Sequence, residues 1–209
     1  MFVKICGVVT EADIDAALDA GADAIGLVLV ASPRRVSIAH ARSLARRVGS
    51  RAARVAVFRE LTHESVAQAI EAECTHLQAS APAQAFRALP SSLRAMPVLL
   101  DHAQAEQEID ALTALGVPIV FDGAVPGSGT PASRDRAAAL ARRAPLVLAG
   151  GLDPSNVADA IRHVRPIGVD VSSGVERTRG VKDPASIHAF VLAARAAFAS
   201  LPPLHEVCP

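Results

Sequence analysis

The sequence predicts an α/β fold, a single-domain (β/α)8 TIM barrel, on three observations. Eight short β-rich runs alternate with Ala-rich segments of helical periodicity along the 209 residues. The groups suited to hold an anion come late, at Gly150-Gly151 and Ser172-Ser173-Gly174, where the last two runs end. The first run ends in Lys4-Ile5-Cys6-Gly7, and residues so far apart in sequence can share a pocket if the first strand lies beside the last in a closed ring. An open, doubly wound sheet uses the same alternation but usually carries its glycine-rich phosphate loop after the first strand. Cys6-Gly7-Val8-Val9-Thr10 is no such loop, which favours the barrel.

The elements follow in order. The first unit is a strand at 3–6 and a helix at 11–20, closed by Gly21 as a C-terminal cap. The second (24–29, 39–48) and third (54–58, 64–72) are apolar runs followed by helical periodicity. The fourth (75–78, 83–89) has a short, polar strand. The fifth (97–100, 103–115) ends at Gly116, and the sixth is expected at 118–121 and 134–142. The helices of the seventh (146–148, 154–164) and eighth (167–171, 184–199) begin on Asp153-Pro154 and Asp183-Pro184. Each dipeptide sets a capping carboxylate before a proline whose missing N–H costs nothing at the first helical position. Residues 1–200 are expected to form the barrel and 201–209 a loose tail.

Composition narrows the ligand. Lys plus Arg and Asp plus Glu both number 21, so formal charge offers no attraction to nucleic acid or membranes. Phe is the sole aromatic residue type, which removes most stacking surfaces for single-stranded nucleic acid. No apolar stretch approaches the roughly 20 residues of a membrane span. An odd cysteine count (Cys6, Cys74, Cys208) and a start that runs directly into strand-like sequence imply a reducing, cytoplasmic setting with free thiols. The seven histidines show no metal-ligand spacing, so no metal is expected, and neither a Gly-x-Ser-x-Gly elbow nor a Walker loop is present. A small metabolite is the expected partner; the sequence leaves monomer and homodimer both open.

Strand parity selects the candidate chemistry. Lys4 and Cys6 share one face and Val3 and Ile5 the other, so the polar pair should point into the barrel. Cys6 is either a small core residue or a general base. A neighbouring ammonium would favour the second role by lowering the thiol from about 8.5. Asp122 and Asp101 each end an apolar strand, where desolvation would let a carboxyl hold a proton, and position does not choose between them. Asp170, with interior parity, could pair with Lys4 across the neighbouring strand. Gly150, Gly151, Ser172, Ser173 and Gly174 suit a phosphate through backbone N–H groups and hydroxyls. Arg34 lies in the loop after the second strand, either solvated or gripping a carboxylate. Gly127-Ser128-Gly129 reads as a loop able to close over ligand.

Together these motifs resemble the phosphoribosylanthranilate isomerase family. The stretches that carry the resemblance are Lys4-Ile-Cys-Gly, Gly21-Ala-Asp-Ala-Ile-Gly, Ser32-Pro-Arg, Pro118-Ile-Val-Phe-Asp122, Gly150-Gly-Leu-Asp-Pro-Ser-Asn156 and Asp170-Val-Ser-Ser-Gly-Val-Glu176, in the family's order. The family's Gln-Leu-His-Gly after strand four reads Gln78-Ala-Ser-Ala81, the loop after strand six is shortened, and the usual Phe-Asp-Trp that follows it is absent. The resemblance implies a cofactor-free Amadori rearrangement in tryptophan biosynthesis. It implies Asp122 as general acid, Cys6 as general base, Arg34 on the anthranilate carboxylate, and main-chain donors around Gly151 and Ser172 to Gly174 on the phosphate.

Overall fold

The computed structural model describes residues 1–125 and 131–202. Its strands are β1 (Phe2–Cys6), β2 (Ala24–Val28), β3 (Ala53–Glu60), β4 (His76–Ser80), β5 (Arg94–Leu100), β6 (Ile119–Asp122), β7 (Leu146–Leu148) and β8 (Gly168–Val171). Each pairs in parallel with the next, and β8 returns to β1 to close the ring. The helices around it are α1 (Glu11–Asp19), α2 (Ile38–Val48), α3 (His63–Glu71), α4 (Ala83–Arg87), α5 (Ala105–Thr113), α6 (Arg134–Ala141), α7 (Val157–Val164) and α8 (Pro184–Ala199). The expected (β/α)8 barrel is the fold observed. None of the described helices is long and apolar enough to cross a membrane.

The period of two along each strand divides the core in two. Val3, Ile5, Ile25, Leu27, Ala56, Leu77, Phe121, Leu146, Leu148 and Val169 point outward and are fully buried beneath the helices. Ala24, Val55, Met96, Val120, Val147 and Ala149 point inward and fill the barrel, joined by Phe2, Val57 and Val98. Polar residues of the same inward parity lie on β1, β4, β6 and β8. Lys4 is fully buried and Asp170, its register partner, nearly so.

The seam between β1 and β8 depends on a glycine. A Cβ on Gly168 would stand 2.6 Å from the Phe2 carbonyl oxygen and 2.8 Å from the Phe2 Cβ, closer than any side chain tolerates. The first strand can approach the last because nothing projects there.

Capping sets where several helices begin. Thr10 and Thr62 close capping boxes on α1 and α3, Ser37 and Ser133 accept from backbone N–H groups at the starts of α2 and α6, and Asp183 caps α8 with Pro184 at its first position. The other Asp-Pro pair behaves differently from expectation. Regular helix α7 starts at Val157, three residues later than expected, although Asp153 Oδ1 accepts from the N–H groups of Ser155 and Asn156 as a capping carboxylate does. Asn156 answers by accepting from Asp153 N and donating to the Gly151 carbonyl. These local bonds organise a turn where the proline signal suggested a helix.

Strand β4 runs to Ser80, two residues beyond the expected end, and α4 is limited to five residues. After β8 the chain forms a 3-10 turn (Ser173–Val175) and an antiparallel hairpin, β9 (Glu176–Thr178) and β10 (Val181–Lys182), turned by Gly180 at φ +86°. The sequence showed only a loop there. Gly127-Ser128-Gly129 and Cys208 lie outside the described residues.

Gly168→Ala is expected to destabilise the chain by about 1–3 kcal/mol, the usual cost of forcing atoms into a filled site. Urea unfolding monitored by circular dichroism measures it, and an unchanged midpoint would show that the seam yields readily.

Candidate active site

Side chains at the C-terminal ends of the strands enclose a cavity of about 510 Å³, within the usual range for a small-molecule site. Cys6, Arg34, Asp122, Asp170, Gly150, Gly151, Ser172 and Ser173 all line it. Gly174 stands behind the wall, where a Cβ would fall 1.9 Å from the Leu152 carbonyl oxygen. Its smallness lets the loops after β7 and β8 pack against each other.

Lys4 Nζ donates to Asp170 Oδ2 at 2.7 Å across the seam. Burial alone would lower the Lys4 pKa, but Asp170 and the adjacent Cys6 outweigh it and raise it. The thiol lies next to the same ammonium, since a Cβ on Gly26 would meet Cys6 Sγ at 2.7 Å and Lys4 Nζ at 3.1 Å. The expected lowering of the thiol is not what results. Burial raises the Cys6 pKa, the Asp170 carboxylate adds to it, and Lys4 offsets only part. Asp170 neutralises much of the positive potential that Lys4 would otherwise supply.

Asp122 ends β6 facing the cavity and accepts a hydrogen bond from Gly123 N at 2.8 Å. Desolvation lifts it from an ordinary 3.8 to about 6, against the stabilising Gly123 N–H. Asp101 is committed elsewhere: it accepts from Ser133 N and forms an ion pair with Arg136 at the start of α6. The two carboxyls thus differ in what each one touches: Asp122 faces the cavity and Asp101 is paired with Arg136.

Arg34 is buried and paired with Glu176. Its Nε donates to Glu176 Oε1 at 2.6 Å and its Nη2 to Oε2 at 3.0 Å. Lys182, also buried, donates to Glu176 Oε1 at 3.0 Å and to the Ser172 carbonyl at 2.8 Å. Gly180 N completes the set on Oε2 at 3.1 Å. Burial would raise the Glu176 pKa, but Arg34, Lys182 and the Gly180 N–H draw it down to about 2. Burial lowers Lys182, with Glu176 opposing. Gly7, at φ +71°, fits between these parts: a Cβ on it would lie 2.5 Å from Arg34 Cδ and 3.0 Å from Ser172 Oγ.

Gly150 and Gly151 both hold positive φ, at +78° and +66°, which other residues rarely adopt. They carry the chain from β7 along the cavity rim beside Ser172 and Ser173. Among the described residues, no group of three His, Cys, Asp or Glu side chains is placed to hold a metal ion.

Residues 3–193 match the family model described as N-(5'phosphoribosyl)anthranilate (PRA) isomerase. The chain belongs to that family. It is similar to the N-(5'-phosphoribosyl)anthranilate isomerase of Roseiflexus sp. (strain RS-1), with 43% identity across 93% of this chain and 98% of the relative. The enzyme of the same name from Rhodopseudomonas palustris (strain HaA2) is 37% identical over 93% of this chain and 95% of its own. Among solved structures, phosphoribosyl anthranilate isomerase from Thermotoga maritima superposes with a TM-score of 0.84 at 31% identity, covering 94% and 99% of the two chains. A phosphoribosyl anthranilate isomerase in complex with reduced 1-(o-carboxyphenylamino)-1-deoxyribulose 5-phosphate gives 0.81 at 30% identity over the same shares. The protein is accordingly an isomerase of tryptophan biosynthesis.

The sequence reading of this isomerase missed two contributors. Glu176 closed a quoted motif without a role, and Lys182 passed unnoticed, because a hairpin of five strand residues carries little periodicity. The available signal was a Glu and a Lys six positions apart just after the last barrel strand. Lys4→Met is expected to cost about 3–5 kcal/mol in urea unfolding, since it leaves the Asp170 carboxylate buried and unpaired. Lys4→Met with Asp170→Leu should recover most of that loss; a double variant as unstable as the single would refute the pairing argument.

Proposed function

We propose that this chain converts N-(5-phosphoribosyl)anthranilate to 1-(2-carboxyphenylamino)-1-deoxyribulose 5-phosphate, with Asp122 as general acid and Cys6 as general base. The observation that carries the reading is the placement of a thiol on β1 and a proton-holding carboxyl on β6 in one cavity, with the glycine–serine turns on its rim. Asp122 gives its proton to the furanose ring oxygen as the C1–O bond breaks, leaving an iminium at C1. The Cys6 thiolate removes the C2 proton, and those electrons form the C1–C2 double bond of an enolamine. Ketonisation then moves the enol proton from oxygen to C1 overall. Only protons move, so this chemistry calls for no cofactor.

Backbone donors at Gly150 and Gly151, with the Ser172 and Ser173 hydroxyls, take the phosphate and fix the register of the sugar. Asp170 binds substrate through Oδ1, which is buried and has no hydrogen-bond partner among the described residues. Arg34, oriented by Glu176, takes the anthranilate carboxylate. A cytoplasmic setting suits this metabolic role.

One turnover leaves Asp122 ionised and Cys6 protonated, and burial of the thiol together with an Asp122 pKa of about 6 favours that same arrangement at neutral pH. A proton must return from thiol to carboxyl, through water, before the next cycle. This has a kinetic signature. Below about pH 6 the carboxyl is protonated and activity climbs with the thiolate fraction; above it, each gain in thiolate is matched by a loss of protonated Asp122. kcat/KM should therefore rise tenfold per pH unit up to about 6 and then run flat until the thiol itself titrates.

Anthranilate-type fluorescence is lost as freshly generated substrate is consumed, which provides the assay. Cys6→Ala and Asp122→Asn should each lower kcat by about 100-fold or more. Failure of the wild-type protein to turn over, or near-normal rates in either variant, would overturn the reading. Arg34→Ala is expected to raise KM more than it lowers kcat, because its contact persists from ground state to transition state. An effect confined to kcat would contradict that role.

A further inference from the structure

Gln78 occupies the inward face of β4, between Leu77 and Ala79, which point outward and are fully buried. Its register neighbours are Val57 on β3 and Met96 on β5, both apolar. The side chain lines the cavity with 7% of its surface exposed, and its Oε1 has no hydrogen-bond partner among the described residues. An unpaired buried acceptor is costly, and an apolar side chain of similar size would avoid that cost. The fold gains nothing evident from an amide at this position; a ligand that donates to it would.

Topology says which part of the ligand reaches it. Strand β4 lies across the eight-membered ring from β8, and three strands from β7. With the phosphate held by the turns after β7 and β8, the sugar extends across the mouth past Asp122 and Cys6, and the end that approaches β4 is the amine. Building on the reading above, we propose that Gln78 is a further substrate-contacting residue whose carboxamide oxygen accepts the anilinic N–H. That nitrogen becomes positively charged when the ring opens, so the bond strengthens as the iminium forms. Because the amide is neutral, it does this without adding a third negative charge beside Asp122 and Asp170.

The test compares wild type, Gln78→Met and Gln78→Glu in steady-state kinetics and thermal unfolding. Gln78→Met should lower kcat by about tenfold to a hundredfold, as expected for a charge-assisted hydrogen bond, while KM changes by less than about threefold. Its melting temperature should equal or exceed that of wild type, since an unpaired polar group has been removed from the interior. Gln78→Glu keeps an acceptor oxygen in either protonation state and should recover part of the lost kcat. Three results would each overturn the assignment: an unaffected kcat in Gln78→Met, a melting temperature that falls along with activity, or a Gln78→Glu no faster than Gln78→Met. Absence of turnover in the wild type is the separate outcome that removes the underlying reaction.

Discussion

The ion pair between Lys4 and Asp170 is the constraint on which the rest of the molecule depends. It joins side chains 166 residues apart, at the only seam of the barrel that is not made by consecutive strands. Two charges buried beside an inner core of Ala, Val and Met are tolerable only in each other's company. The pairing therefore specifies how β1 faces β8, and with it the level at which Cys6 stands. The same contact moderates the chemistry. A lone ammonium under the thiol would oppose burial more strongly, whereas an ammonium already matched by a carboxylate leaves burial in control.

A second network holds the mouth in shape. Glu176 accepts from Arg34, Lys182 and Gly180, and Lys182 continues to Ser172, so the loop after β2 and the turn after β8 are parts of one hydrogen-bonded body. Gly7 and Gly174 allow the close approaches that this body requires. An arginine held by this two-pronged contact keeps a fixed direction for its guanidinium plane.

Much of this was legible from residues alone. Alternation along the strands placed Lys4, Cys6, Asp122 and Asp170 inside and Val3 and Ile5 outside, because a period of two admits no other arrangement. The Asp183-Pro184 start of α8 and the glycine after α1 were equally readable, since each solves a local backbone problem. What escaped depended on partners distant in sequence. Asp101 differs from Asp122 only because Arg136 and the Ser133 N–H reach the former. The direction of the thiol's pKa turned on a three-way balance among burial, Lys4 and Asp170 that no spacing rule contains. Asp153-Pro154 marked the capping carboxylate but not the start of regular helix, which comes at Val157 because residues 154–156 form a turn that Asn156 ties to the Gly151 carbonyl.

Closure through the terminal strands also bears on how the molecule matures. During synthesis β1 leaves the ribosome long before β8, and until the eighth strand arrives Lys4 has no counter-ion and the thiol no pocket. A chain halted anywhere before that point would hold most of its hydrophobic helices without the closed ring that frames the cavity. Appearance of turnover therefore marks the moment when the last strand docks, and activity serves as a direct gauge of finished assembly.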